Sequence, residues 1–346
     1  MIVPGKSMGS LDKAVELIRA GELVGLPTET VYGLGANAMD DQAVAKIYAL
    51  KGRPIDHPLI VHVYSKDEVG YFSNQLPTFA HHLMGSLWPG PLTLILHKRE
   101  GIARACTADL QTIAIRCPKH EVAQTLLKEC KQVGIWGLAA PSANRFGRVS
   151  PTTAVHVQEE FGESLFVLDG GACEVGIEST IVDCTRGRPI VLRPGILTLE
   201  ELSICAKVPV ITERDLMESS SLVEQVDSQA PQASGTLDSH YAPRALVRLL
   251  TQAQIKQRLT HESTHSLKLG LWSQPLELLK NANFPIYWLE IPSTPKECAK
   301  VLFAQLRAFD GLGVDEIWVQ SPKNSPEWAG INDRLLRAAH TGTEHR

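Results

Sequence analysis

The feature that most constrains this chain is an apolar period that keeps switching between two values. Short apolar runs have the length and composition of buried strands: ELVGLP (22–27), PLIVHVY (58–64), PLTLILH (91–97), TIAIRC (112–117), GIWGLAA (134–140), SLFVLDG (164–170), STIVDC (179–184) and PIVLR (189–193). Between them, LDKAVELIRAG (11–21), DDQAVAKIYAL (40–50), EVAQTLLKEC (121–130) and TLEELSICA (198–206) carry apolar residues three and four apart and read as helices. Ser10 suits the first helix's N-cap and Gly21 its C-terminal stop, while Ser150-Pro151 suggests a helix with proline at its first position. A chain that alternates in this way predicts a large α/β domain over residues 1–206.

Residues 212–240 break the pattern: they are polar, rich in Ser and Gln, and hold no sustained stripe. A linker is therefore expected over 207–243. A second, smaller alternation follows. ALVRLL (245–250), LKLGLW (267–272), PIYWLEI (285–291) and VDEIWVQ (314–320) are strand-like, and PKECAKVLFAQLRAFDG (295–311) and PEWAGINDRLLRAA (326–339) are helix-like. They predict a three-layer, Rossmann-like α/β domain over 244–346.

Composition narrows the function classes. A formal charge of -4 argues against a protein built to coat nucleic acid or lie on an anionic membrane, so any basic surface must be local. The 7 cysteines are scattered without CxxC or another metal-ligand spacing, which reads as reduced thiols in a cytoplasmic protein. The first residues are too polar for a signal-peptide core, and no apolar run approaches the ~20 residues of a membrane span.

Three short motifs mislead. HESTH (261–265) matches the zincin pattern, but it lies in a polar connection with no helical stripe through it and no third ligand in view. GKS (5–7) resembles the end of a phosphate-binding loop, without room for the earlier glycine or a preceding strand. YGLGANA has two glycines but not the dinucleotide fingerprint.

The chemistry concentrates elsewhere. PTETVYGLGANA (27–38) offers hydroxyls at Thr28, Thr30 and Tyr32 and ends in what reads as a glycine turn. ALKGRPIDHPLIVHV (49–63) sets Lys51 and Arg53 just before a core strand. Arg116 closes an apolar strand, where an arginine is rarely buried unless paired. AAPSANRFGRVSPTT (139–153) adds Ser142, Asn144 and Ser150, IESTIVD adds Ser179 and Thr180, and IVLRPG adds Arg193. Strand ends are where open α/β sheets bind ligands. Four cations with hydroxyls and no acidic dyad suit polyphosphate and carboxylate.

The strings PTETVYGLGANA, KGRP-x-x-HPLIVHV, WPGPLT, APSAN, ESTIVD and LRPG, in this order, resemble those of the YrdC family. With a linker ending in SHYAP and a further α/β domain, the chain is similar to the family's long branch, the two-domain threonylcarbamoyl-AMP synthases. The resemblance implies a twisted mixed sheet with a concave binding face. It implies an enzyme joining L-threonine, bicarbonate and ATP into L-threonylcarbamoyl-adenylate, with release of pyrophosphate, for threonylcarbamoylation of tRNA. The family's K-x-R and S-x-N signatures fall on Lys51, Arg53, Ser142 and Asn144 as catalytic residues. Carried over, the threonine pocket uses Thr30, His62, Arg116, the backbone at Ala140, and Ser179. The nucleotide site uses Arg53, His57, Thr112, Ser142, Ser150, Arg193 and, as a lid from the linker, Tyr241. Magnesium is expected to arrive with ATP, without a protein-ligated metal, and the expected partners are tRNA threonylcarbamoyl-transfer proteins.

Two stretches depart from the family pattern. ASGTLDSHYAP (233–243) lacks a proline before glycine and both basic residues of the usual linker, and EWAGINDRL lacks a glycine-rich turn before N-R-L. Two other readings stay open at this point. A concave basic face suits an RNA-binding module, which ATP consumption without RNA would exclude, and a nonenzymatic nucleotide or amino-acid sensor would bind without turnover.

Overall fold

The computed structural model describes residues 1–220, 231–233, 235, 241–260, 266–281 and 285–340, so the HESTH match lies outside the described residues. The chain divides into two compact units, Met1–Phe146 with Pro151–Thr236, and Gly147–Ser150 with Leu237–Arg346.

The first unit is built on one mixed sheet of 11 strands. In chain order these are β1 (Ile2–Pro4), β2 (Val24–Leu26), β3 (Gly33–Asn37), β4 (Ile60–His62), β5 (Leu92–His97) and β6 (Thr112–Arg116). Then come β7 (Leu138–Ala139), β8 (Phe166–Asp169), β9 (Thr180–Asp183), β10 (Ile190–Arg193) and β11 (Ile211–Thr212). Their order across the sheet is β1-β8-β2-β3-β7-β4-β6-β5-β9-β10-β11. Every strand run read from the sequence is present. The period of two then sorts their side chains. Leu92, Leu94 and Leu96, Ile113 and Ile115, Val61 and Val182 enter the main core with helices Asp41–Lys51 and Thr78–Leu87. Their alternates Ile60, Ile95 and Ile181 form a small cluster apart from that core. Helices Met8–Arg19 and Glu121–Gln132 pack on a second core with Val24, Leu26, Leu138 and Leu168.

Four local expectations change. The first helix runs Met8–Arg19 with Ser7, not Ser10, at its N-cap, and Gly21 (φ 74°) follows the C-cap Ala20. YGLGANA is not a glycine turn: Gly33–Asn37 is β3, antiparallel to β2, its small residues hiding a strand that propensity does not favour. The helix after Ser150-Pro151 is Ala154–Phe161, capped by Thr153, whose Oγ1 accepts from His156 N (3.3 Å). Pro151 precedes the cap and does not open the helix. The tract after 206 is not all linker, because β11 pairs parallel with β10 and helix Glu213–Ser220 follows it. Arg186 bridges Asp183 (2.5 Å) and Glu213, which ties that helix to the sheet.

The second unit has four parallel strands, β12 (Leu246–Leu250), β13 (Leu269–Ser273), β14 (Ile286–Glu290) and β15 (Glu316–Gln320), in the order β12-β15-β13-β14. Parallel neighbours need crossovers, and helices Gln252–Leu259 and Pro295–Gly311 lie between successive strands in sequence, with Ala329–Ala339 after the last. Trp272, Trp318, Phe303 and Phe309 are buried in this unit. Among the described residues, no helix is long and apolar enough to cross a membrane.

Candidate active site

Strand register assembles the first half of the site. His62 on β4 is the partner of Arg116 on β6, and Arg116 is the partner of Thr93 on β5. Period-two alternation turns all three away from the core that Val61, Ile115 and Leu94 enter. Thr93 Oγ1 lies 2.7 Å from Ser179 Oγ, and Arg193 donates from Nη2 to the Ser179 carbonyl (3.0 Å) and from Nε to the same oxygen (3.2 Å). His62, Arg116, Thr93, Ser179 and Arg193 thus form a continuous polar row across the sheet. The turn after β10 closes tightly on it: a Cβ on Gly195 would lie 2.5 Å from Thr180 Oγ1 and 2.6 Å from its backbone nitrogen, so only glycine fits.

Arg116 is buried, and its charge is met. Nη1 donates to Thr30 Oγ1 (2.7 Å), which lies 2.9 Å from Thr28 Oγ1. Nη2 sits 2.7 Å from Glu29 Oε2 as an ion pair without hydrogen-bond alignment. The sequence reading found no acidic dyad here, and the single carboxylate of Glu29 is the residue it left out. Its one signal is position, a charged residue between two threonines in a segment that is otherwise buried. Thr93 was missed as well, as the one polar side chain inside LTLIL. Burial, and after it the Arg116 charge, push the His62 imidazole down to about 3, so His62 is neutral at ordinary pH.

The second half is a loop held by a lysine. The helix Asp41–Lys51 ends at Gly52 in the left-handed conformation (φ 62°), which fits glycine at a helix terminus. Lys51 is buried, and Nζ donates to the carbonyls of Ser142 and Asn144 (both 2.5 Å), while its own carbonyl accepts from Phe146 N (2.8 Å). Burial first and the Arg53 charge second push its ammonium well below the usual value. Lys51 therefore shapes the APSAN loop instead of facing open space. Ala140 N donates to Ile60 O (3.0 Å), fixing the start of that loop beside β4. Arg53 donates to the carbonyls of His57 (3.3 Å) and Pro58 (3.1 Å), with its guanidinium 5.9 Å from the Phe146 ring centre. His57 meets the same ring edge-on at 5.5 Å, and burial, then Arg53, lowers its pKa. Thr112 opens β6, at the other end of the strand from Arg116.

Three further residues of the sequence reading have partners of their own. The Tyr32 hydroxyl is taken by the turn after β8, donating to Gly171 O (2.8 Å) and accepting from Gly170 N (3.1 Å), so it is structural. Ser150 and Tyr241 belong to the second unit. There Arg307 donates to the carbonyls of Val149 (2.5 Å) and Ser150 (3.4 Å). Tyr241 is 1% exposed, with a left-handed backbone (φ 62°) rare for an aromatic residue. Its ring lies 5.3 Å from that of Phe303 and under the Arg334 guanidinium at 5.4 Å. Of the tract 233–243, residues 234 and 236–240 lie outside the described residues, while Ala233 packs on Ile60, Ile95 and Ile181. An open hollow of about 730 Å³ beside helix Asp41–Lys51, lined by Tyr48, Gly52, Ile55, Arg104 and Asp109, borders Arg53 but no other expected site residue. Among the described residues no group of three or more His, Cys, Asp or Glu could hold a metal ion.

Comparison with known proteins now decides the family. A family model described as telomere recombination matches residues 16–195, and one described as threonylcarbamoyl-AMP synthase, C-terminal domain, matches 197–340. The threonylcarbamoyl-AMP synthase of Pyrococcus abyssi is 37% identical over 330 residues, covering 94% of this chain and 93% of that one. This chain belongs to the threonylcarbamoyl-AMP synthase family, in its two-domain form. The family member of Bacillus subtilis is 35% identical over 340 residues, covering 94% of this chain and 92% of its own. The crystal structure of P. abyssi Sua5 complexed with L-threonine superposes with a TM-score of 0.83 at 34% identity, covering 98% of this chain and 97% of that chain. The mixed α/β fold with a second, parallel-sheet domain is that of the family.

Proposed function

We propose that this chain makes L-threonylcarbamoyl-adenylate from L-threonine, bicarbonate and MgATP, releasing pyrophosphate, and so supplies the threonylcarbamoylation of tRNA in the cytoplasm. The observation that carries the reading is the row His62–Arg116–Thr93–Ser179–Arg193, a line of buried cations and hydroxyls on the face of the sheet turned from the core. Arg116, with donors left over, suits the amino acid's carboxylate, and the Ser179–Thr93 pair suits its hydroxyl. Neutral His62 offers a ring nitrogen without adding charge. Arg193 and Arg53 suit the phosphates, and Lys51 holds the loop that carries Ser142 and Asn144.

The chemistry asks for positioning more than for a protein nucleophile. Threonine's amine first takes up the carboxyl carbon of bicarbonate, with loss of water and a proton. A carbamate oxygen then forms a bond to the α-phosphorus as the bond to the pyrophosphate oxygen breaks. Charge spreads over the phosphoryl oxygens, and magnesium, entering as part of the substrate, shares it with the two arginines. The functional acceptors of the product would be proteins that transfer it to tRNA. Incubation of full-length protein with ATP, L-threonine and labelled bicarbonate tests the reading. Labelled adenylate and pyrophosphate, formed without RNA, are expected. ATP left intact in the presence of both co-substrates would overturn it.

A further inference from the structure

Glu29 stands out among the buried polar groups of the first unit as a carboxylate. Its residue is 3% exposed, and Oε2 lies 2.7 Å from Arg116 Nη2 without hydrogen-bond alignment. Neither Oε1 nor Oε2 has a hydrogen-bond partner among the described residues, and nor does His62 Nδ1 on the strand beside Arg116. A carboxylate serving only to neutralise an arginine reaches its lowest energy as a two-oxygen fork. This one makes no hydrogen bond to Arg116 with either oxygen, and leaving buried acceptors unmade is costly. What would offset its charge is a positive group brought close to it.

We infer that Glu29 determines specificity for the ammonium group of the substrate, so that Glu29 and Arg116 together select a zwitterionic amino acid over a plain carboxylate. The inference rests on the proposed function, in which Arg116 takes the substrate's carboxylate. Bare Arg116 would attract any small carboxylate. With Glu29 beside it the pair is neutral, and a ligand bringing only negative charge meets an uncompensated anion. A zwitterion brings one charge of each sign and matches both. Neither Glu29 oxygen is open to solvent, so water does little to screen this charge from a ligand seated on Arg116.

The test compares L-threonine with (R)-3-hydroxybutyrate, which keeps the carboxylate, hydroxyl and methyl and lacks only the amine. Equilibrium dialysis of labelled threonine against full-length protein, with the hydroxy acid as competitor, gives their affinity ratio. The natural protein should prefer threonine by about ten- to a hundredfold, the range for a hydrogen bond to a charged group. Glu29→Gln should bring the ratio towards one, and Glu29→Asp should restore part of it. A ratio in Glu29→Gln within about twofold of the natural one would reduce Glu29 to a structural counterion. Should Glu29→Gln not fold, the natural protein decides alone: equal binding of the two ligands overturns the inference. A protein that binds no threonine at all overturns the functional reading as well, an outcome distinct from threonine binding without discrimination.

Discussion

In the first unit Lys51, Arg53, Arg116 and Arg193 are buried together with Glu29, Glu178 and Asp183, whereas in the second unit Arg334 is the one buried charged side chain among the described residues. The second unit fills its interior with Trp272, Trp318, Phe303 and Phe309 around a regular parallel sheet. Removing a charge from water costs several kcal/mol, which pairing repays only where the geometry is excellent. A unit that buries Arg116 and Arg193 in one row, with Arg53 buried as well, therefore keeps them for something other than stability. Where hydrophobic area does the work and one cation is enclosed between Asp333 (2.7 Å) and an aromatic ring, the charge belongs to the scaffold.

The sharpest way to break this contrast is to remove one buried cation from each unit. Arg193→Ala should lower pyrophosphate formation by about 10²–10³-fold, as loss of a preorganised charge-stabilising donor does. Arg334→Ala should do the reverse. It should leave turnover per folded molecule within a fewfold, and cost about 3 kcal/mol in denaturant unfolding, because a fully buried side chain is deleted and Asp333 keeps only Arg337 of its two arginines. Comparable losses of turnover in both variants would erase the distinction between site and scaffold.

Amino-acid choice sharpens the picture within the first unit. Alanine should fall behind threonine by about a hundredfold, having neither hydroxyl nor methyl to offer. The factor stays moderate because Thr93 and Ser179 already bond each other at 2.7 Å, so an absent substrate hydroxyl does not orphan them both. Serine, lacking only the methyl, should lose roughly 1 to 3 kcal/mol of discrimination. Competition for adenylate formation with the three amino acids reads both numbers. Equal use of alanine and threonine would remove the pocket from this row.

Much of this architecture was legible in the sequence because period does most of the sorting. Strand β6 reads TIAIR, and its alternation alone places Arg116 opposite Ile113 and Ile115. What stayed hidden depends on partners far along the chain. Nothing local says that Glu29 meets Arg116, or that Lys51 spends its donors on two carbonyls some ninety residues away. β3 was masked by its glycines, and β11 by the polar tract it opens. Tyr241 was read as a lid from its neighbours in sequence, and its stacking on Phe303 and Arg334 could not be seen there.

That stacking makes Tyr241→Ala a test of the second unit. Deleting a buried ring that packs on another aromatic should cost about 3 kcal/mol of that unit's stability. Tyr241→Phe keeps the ring and should recover most of it. Loss of stability in the alanine variant with adenylate yield unchanged per folded molecule would make the tyrosine purely structural. A fall in yield in both variants, with unfolding unaltered in the phenylalanine form, would instead assign the hydroxyl to the nucleotide, as the family resemblance implies.

The smallest expected effect concerns His62 and is read in pH. Its imidazole titrates at about 3 in the folded chain, against an ordinary value near 6.5, because burial and Arg116 disfavour the cation. Between those values the unfolded chain binds a proton that the folded chain does not, so stability rises with pH across the window and falls as the solution is acidified from 6.5 towards 3. His57 and His120, also lowered, act in the same direction, as does Glu68, whose carboxyl is held low by Lys131 and Ser65 against its own burial. The natural protein's slope is therefore a sum, and only a difference isolates His62. Urea midpoints of the natural protein and of His62→Asn, measured from pH 4.5 to 7, should show the variant's slope lower by up to about 1.4 kcal/mol per pH unit, the contribution of one proton. Adenylate formation should show no acid limb belonging to His62 in the same range, since the group stays neutral throughout. Parallel slopes would mean that His62 charges in the folded state, and the row beside Arg116 would then carry one more cation than the structure gives it.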